Sequence, residues 1–349
     1  MHTICKINTT LLKVDLMRRI SALLQSWLVY AILLSMPLSA HAETVTTNTL
    51  DGFSLGGYAA TKANIHPDGN KDASLKDISL FLRWEGDTRW RVFTELELEK
   101  PLYWESNSKL TVNQARLNLE RLYVDYNLSE NLNLRAGRFF TPVGHWNLIH
   151  ADPLVWTTTR PLATTRLFPQ STNAVMLFGS KSIDTKVIDY SVYVETVKNS
   201  DNERNIGDAE NLKGIHVSLS GEAGLGLSLL EFNELTPIDN KYRMIGLDFQ
   251  TNIKGWELSA EGFQRFINNG KTSGSGGYVQ VAAPIANNWY AITRLDAIQM
   301  PKDNNTNRWL VGAAWKRTVG QIFKIEYAGG SGELAEAPKG LITSFSLLF

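Results

Sequence analysis

The side chains able to do covalent or metal chemistry are scattered rather than grouped. His145, His150 and Asp152 offer metal-ligand atoms within one short stretch, but their spacing matches no standard site, and a polar loop accounts for them as well. His66 and His216 are the other histidines beyond residue 42, and neither has a nucleophile motif beside it. No Ser/His/Asp or Asp/His constellation can be assembled, so no enzyme, cofactor or metal is expected. What recurs is charge at alternate positions. Arg83 and Glu85 form one such set, Arg91, Glu95, Glu97 and Glu99 the next, followed by Arg116, Glu120 and Arg135. Alternation puts such residues on one face of a strand. Rings of charge facing water select ions by sign, which is the chemistry this spacing supports. Arginines and glutamates share that face, so the expected lining is mixed, with weak selectivity.

The elements that must position these charges are strands. Sixteen segments alternate or nearly alternate: 53–60, 77–85, 89–99, 115–127, 131–138, 172–180, 186–196, 211–220, 223–233, 242–252, 255–264, 275–284, 287–297, 306–317, 320–328 and 340–349. Most have the ~9–11 residues that a tilted strand needs to cross a bilayer. Opposite the charges stand Ile78, Leu80, Leu82 and Trp84, then Trp90, Val92, Leu96 and Leu98, then Val192, Val194, Ile245, Leu247 and Phe249. The charged face is too rich to fill a dry core, because unpaired buried charge is very costly. A polar lumen with an apolar exterior resolves this, and closure leaves no unpaired edge in lipid.

The gaps between strands alternate too. They are short after even strands, as at Gly86-Asp87-Thr88 and Ile253-Lys254, and long after odd ones, as at 61–76, 100–114, 139–171 and 265–274. Short turns on one rim and long loops on the other is the plan of an outer-membrane barrel, with both termini at the short-turn, periplasmic rim. Trp84, Trp90, Trp256, Trp289 and Trp315 flank short turns, and Phe349 closes the same rim, as an interfacial aromatic girdle would. Three strands are less clean. Parity slips near Glu120-Arg121, where a β-bulge would restore the phase. Segment 223–233 is half apolar on both faces, with Glu231 spoiling one of them, and 172–180 shows no clear face.

Residues 1–42 read as a secretory signal peptide, with translation expected to start at Met17. Met17-Arg18-Arg19 supplies the charge, Ile20 to Leu34 the apolar core and Ser39-Ala40-His41-Ala42 the cleavage site. The remaining 43–349 would be the barrel. It lacks a long apolar run, so a helical membrane protein is excluded. The sole cysteine, Cys5, lies in the removed part, and the near-neutral charge gives no reason to expect nucleic acid.

Sixteen strands, a terminal Phe and a long third loop resemble the Gram-negative outer-membrane porins. The stretch Leu122-Tyr123-Val124-Asp125-Tyr126 through Leu134-Arg135-Ala136-Gly137-Arg138-Phe139 to Pro142 and Gly144 is similar to the phosphate-selective porin type. The resemblance implies an all-β, 16-stranded antiparallel transmembrane β-barrel whose third external loop folds inward and narrows a water-filled channel. It implies passive diffusion of small hydrophilic solutes or ions, contact with outer-membrane lipid, delivery to the barrel-assembly machinery through Phe349, and a homotrimer. The constriction would be lined by Arg83, Arg91, Glu95, Glu97, Arg116, Arg135, His145, Asp152, Arg160 and Arg166, with Arg160 and Arg166 facing the glutamates at 95, 97 and 99. Residues 139–171 carry no lysine, unlike the phosphate-selective type, which argues against phosphate as the solute. The alternatives are a pore-closed structural or adhesive barrel and, behind it, an outer-membrane enzyme.

Overall fold

Side chains on a strand alternate between two faces, so a chain meeting apolar surroundings on one side and polar ones on the other writes that contrast residue by residue. The computed structural model describes residues 52–349 apart from 150, 199–208, 235–239, 302–304, 333 and 335. The signal-peptide reading of 1–42 lies outside the described residues. The strands are β1 (Phe53–Ile65), β2 (Lys71–Glu85), β3 (Trp90–Glu105), β4 (Arg116–Ser129), β5 (Leu132–Phe140), β6 (Ser171–Ile183), β7 (Lys186–Val197) and β8 (Ala209–Ser220). They continue with β9 (Ala223–Glu234), β10 (Asn240–Ile253), β11 (Trp256–Ile267), β12 (Thr272–Ala286), β13 (Trp289–Gln299), β14 (Thr306–Thr318), β15 (Gln321–Ser331) and β16 (Gly340–Leu348). Each pairs with its sequence neighbours, and β1 pairs with β16, closing an antiparallel barrel of sixteen strands. The seam is continuous from Tyr58 opposite Leu348 to Ile65 opposite Leu341. Phe349 extends it by exchanging two backbone hydrogen bonds with Gly57, at 2.9 and 3.0 Å.

All sixteen expected strands are present, and several run further than expected toward the long loops. Segments 61–76 and 265–274 shrink to connections at 66–70 and 268–271. Past the exposed apolar band the outer face no longer has to be apolar, so the alternation that marks a strand in sequence fades while the hydrogen-bond ladder goes on. At the other rim most connections are two residues long. Lys254 and Gly255 (φ 53° and 85°) have the positive φ pair of a type I′ hairpin, whose twist matches that of the strands. The parity slip in β4 is a bulge. Glu95 pairs with Arg121 and Leu96 with Leu119, leaving Glu120 as the extra residue.

The faces follow the expected phase. Leu80, Val192, Leu247 and Leu295 are exposed on the outside, whereas Glu95, Glu97, Asp248, Arg294, Lys324 and Glu326 are buried on the other face. The expectation that the charged face stays wet is therefore corrected for these residues. They are buried, with pairing, described below, replacing water for most of them. Trp84, Trp90, Trp256, Trp289, Trp315 and Phe349 all sit beside the short turns, where Trp289 stacks on Trp315 at 6.1 Å and Trp90 packs on Tyr126 at 4.5 Å. Trp309 and Tyr327, exposed toward the opposite rim, form a second aromatic pair that the sequence reading did not assign.

Candidate functional site

Residues 141–170, between β5 and β6, form a long connection, described throughout except at residue 150. Pro142, Pro153, Pro161 and Pro169 remove donors and fix φ, so long helices or strands cannot form. The segment instead makes two 3₁₀ turns, Trp146–Leu148 and Asp152–Leu154, and one helical turn, α1 (Ala163–Arg166). Its neck is closed by the Thr141 N–H, which donates to the Gln170 carbonyl at 2.9 Å. Asn147 Nδ2 donates to both the Thr141 and Gln170 carbonyls at 2.8 and 2.9 Å.

One anchor is a buried carboxylate. Glu261 on β11 accepts from the backbone N–H of His145 at 2.8 Å and of Trp146 at 2.6 Å, and from the Tyr278 hydroxyl at 3.2 Å. Gly144 (φ 62°) makes the turn that brings these donors together, and a Cβ there would lie 2.5 Å from the Glu261 carboxylate. The Gly144 N–H donates to Ser228 Oγ on β9 at 3.1 Å. The apolar part of the segment packs beside this anchor. Leu162, Leu167 and Phe168 join Phe139, Met176, Phe232 and Phe263 in one buried cluster, with Phe168 and Phe263 ring centres 5.3 Å apart.

The second set of anchors is ionic and lies on strands distant from the first. Asp152 pairs with Lys76 of β2, and the Asp152 backbone carbonyl accepts from Lys324 Nζ of β15 at 2.8 Å. Burial resists ionisation of Asp152, but Lys76 and Lys324 outweigh it and hold the carboxyl below the usual carboxylate range. The Thr158 N–H donates to Glu326 at 2.7 Å, and its hydroxyl shares a hydrogen bond with Ser344 of β16 at 2.8 Å. Arg294 of β13 is fully buried and donates to Thr157 Oγ1, the Thr159 carbonyl and Thr159 Oγ1 at 2.5 to 2.8 Å, while pairing with Asp296 at 2.8 Å. Arg308 of β14 also pairs with Asp296 and donates to the Arg160 carbonyl at 2.6 Å. A buried charge is tolerable only when paired and hydrogen-bonded, and these are.

The wall from β2 to β6, of which only Lys76 is among these anchors, carries most of the arginines expected to line a pore. Arg121 pairs with Glu95 at 2.5 Å and lies 4.6 Å over Phe93. Arg135 forks onto Asp125 at 2.7 and 2.8 Å and lies 3.6 Å over Tyr123. Arg83 and Arg91 both pair with Glu85 and remain exposed. Arg116 is exposed opposite Glu99 in the register, and Glu97 accepts from the Tyr58 hydroxyl at 2.8 Å. Arg160 bonds Asn147 and Thr164, and Arg166 pairs with Glu336 at 3.2 Å. Glu95 and Glu97 meet Arg121 and Tyr58 on the wall, and Glu99 stands opposite Arg116. His145 is half-buried, which pushes its imidazole pKa down toward the neutral form. Among the described residues no group of three or more His, Cys, Asp or Glu is placed to hold a metal, and His150 lies outside them.

The sequence reading missed Lys76, Glu261, Arg294, Arg308, Lys324 and Glu326 as site residues. Their signal was present. Arg294, Asp296, Arg308, Lys324 and Glu326 occupy the charged-face parity on three successive strands with both signs represented.

No protein-family model matches this chain. It is 29% identical over 147 residues to an uncharacterized protein of Aquifex aeolicus, a match covering 41% of this chain and 32% of that protein. The chain thus matches about a third of that relative's length. Solved structures are more telling. Salmonella typhi OmpF in complex with daunomycin superposes with a TM-score of 0.62 at 9% identity, covering 87% of this chain and 99% of that one. The porin fold is shared. The anion-selective porin of Comamonas acidovorans gives 0.57 at 12% identity over 85% and 98% of the two chains. Vibrio cholerae OmpT, folded in vitro and in trimer form, gives 0.58 at 7% over 85% and 99%.

Proposed function

We propose that this protein is an outer-membrane porin through which small hydrophilic solutes diffuse passively, with residues 141–170 lying across the lumen and setting its narrowest point. The observation that carries this reading is the anchoring of one connection to opposite parts of a closed wall: to Glu261 and Ser228 on one side, and to Lys76, Lys324 and Ser344 on another. In a closed barrel such a span runs through the interior. The exposed apolar exterior and the rim tryptophans fit a lipid surround.

Selectivity would be mixed rather than phosphate-specific. Lys76 and Lys324 are engaged with Asp152. The exposed Arg83, Arg91 and Arg116 share their wall with Glu85 and Glu99. On this reading the open cross-section runs along β3 to β5 and the Arg83 end of β2, beyond the Lys76 anchor. A homotrimer is proposed by analogy with the trimeric OmpT, and delivery to the assembly machinery through Phe349 from the accessible end of β16. The burial of Arg294, Lys324 and Glu326 favours one competing reading, a barrel that this segment closes. Planar-bilayer recording under a salt gradient separates the two. Stepwise conductance with a shallow reversal potential is expected of the porin. Silence from folded protein would establish the closed barrel instead.

A further inference from the structure

His145, Trp146, Ile149, Leu154, Val155 and Trp156 roof a cavity of about 440 Å³ whose floor is the wall of β8 to β12 near the short turns. That volume falls within the ~300–1,000 Å³ of small-molecule sites. Three of its floor residues form one row. Gln250 of β10 stands opposite Ser259 of β11, which stands opposite Gln280 of β12. Adjacent strands are ~4.8 Å apart, so the row presents amide, hydroxyl and amide at that step. Gly224 leaves Gln250 its place, since a Cβ there would lie 2.9 Å from Gln250 Cγ. The roof brings Trp146 and Trp156, and Trp156 is fixed by its indole N–H, which donates to Glu257 at 2.6 Å.

Gln280 is only 4% exposed, yet its Oε1 has no hydrogen-bond partner among the described residues. A buried acceptor without a donor costs about 1–3 kcal/mol, so the cavity is built to receive a donor. None of the described side chains lining it is a lysine or arginine. An anion would meet Glu222 and Glu257 in the lining, while the nearby Lys316 ammonium is stacked on Trp156 at 3.5 Å rather than lining the cavity. We propose that this cavity is a binding subsite for a neutral polyhydroxylated solute, of the size of a mono- or disaccharide, on the short-turn side of the constriction. Each hydroxyl both donates and accepts, which suits an amide–hydroxyl–amide row, while Trp146 and Trp156 give the carbon skeleton apolar surface to pack on. The placement on a permeation route rests on the porin reading above.

The test uses the purified full barrel in detergent and in planar bilayers, with maltose as probe and inorganic phosphate as control. Maltose should change tryptophan emission saturably, and phosphate should not. In Gln250→Leu/Gln280→Leu the maltose affinity should fall at least tenfold. Should that double variant not fold, Ser259→Ala, which removes only a hydroxyl, should weaken binding about threefold. No saturable response, an equal affinity in the variants, or a response to phosphate instead of maltose would overturn the subsite. Conductance without added maltose reads the porin proposal separately, because the emission titration does not depend on an open channel.

Discussion

Asp152→Asn tests whether ionic anchoring holds residues 141–170 in place. The substitution keeps shape and removes the charge that faces Lys76. Breaking a buried pair costs ~3–5 kcal/mol when it strands the partner. Lys76 retains Asp77 at 3.1 Å, and Lys324 retains the carbonyls of residues 152 and 157, so the lower figure, ~3 kcal/mol, applies. A change of that size multiplies the detached population of the segment by about two decades. The readout is the frequency of higher-conductance states in single-channel records at neutral pH, together with urea unfolding in detergent. Acid gives a second arm. The folded pKa of Asp152 lies below its unfolded value, so its contribution is complete above the unfolded pKa of ~3.9 and is lost as pH falls through the lower folded value. Wild-type protein should therefore gain high-conductance states below about pH 4, and Asp152→Asn should show them at all pH values. Equal records for the two proteins at pH 7, with unfolding free energies within ~0.5 kcal/mol, would refute ionic anchoring.

Other perturbations probe separate links. Gly144→Ala forces a side chain into the left-handed region against Glu261 and should cost ~1–3 kcal/mol, read as a lower unfolding midpoint with the barrel still formed. Leu247→Arg on the outer face should cost ~2–4 kcal/mol of folding stability in lipid, whereas Asp248→Asn on the opposite face should fold; comparable losses would reverse the phase of β10. Deleting 152–163 should raise single-channel conductance in a folded barrel, and an unchanged conductance would place the segment outside the pore. A cysteine at Ser108 should label on intact cells and one at Asp87 should not; the opposite pattern would invert the proposed orientation.

The strands were legible because a closed wall with an apolar outer face and a polar inner one imposes a two-residue period. Even the slip at Glu120 could be read as a bulge, since every later residue of β4 returns to phase. Two strands resisted, and their environment explains why. In β6, Ala174 and Met176 turn inward to the apolar cluster around Leu162, Leu167 and Phe168, so both faces of the strand are apolar. In β9, Leu230 and Phe232 do the same. Glu231, which interrupts the outer face of β9, is surrounded by Lys213, Lys241 and Arg243 at 2.6 to 3.0 Å. It belongs to an ionic cluster toward the long-loop end, where the apolar band no longer applies. A period written by solvent contrast is blind to contacts that replace solvent. For the same reason the sequence could suggest that residues 139–171 matter but could not name their partners on β11, β13 and β15.

The distribution of those partners has a mechanical consequence. A proline-rich segment cannot hold its own shape through backbone pairing, and its helical turns are too short to be stable alone. Its conformation has to come from the wall. The first half is held by a carboxylate that accepts two of its N–H groups, and α1 by apolar packing beside the same strands. The stretch between them is held by threonine hydroxyls and carbonyls that meet buried arginine and lysine heads. Non-directional packing fixes position loosely, whereas the fork of Arg294 on residues 157 and 159 fixes orientation. Directional contacts therefore hold both the first half of the segment and the stretch at 157–159, while apolar packing seats α1. An ordinary lumen needs charge to stay wet. Here part of that charge is diverted to rigidify the segment, which leaves β3 to β5 and the Arg83 end of β2, with exposed Arg83, Arg91 and Arg116, as the wall that solutes would meet on the proposed reading.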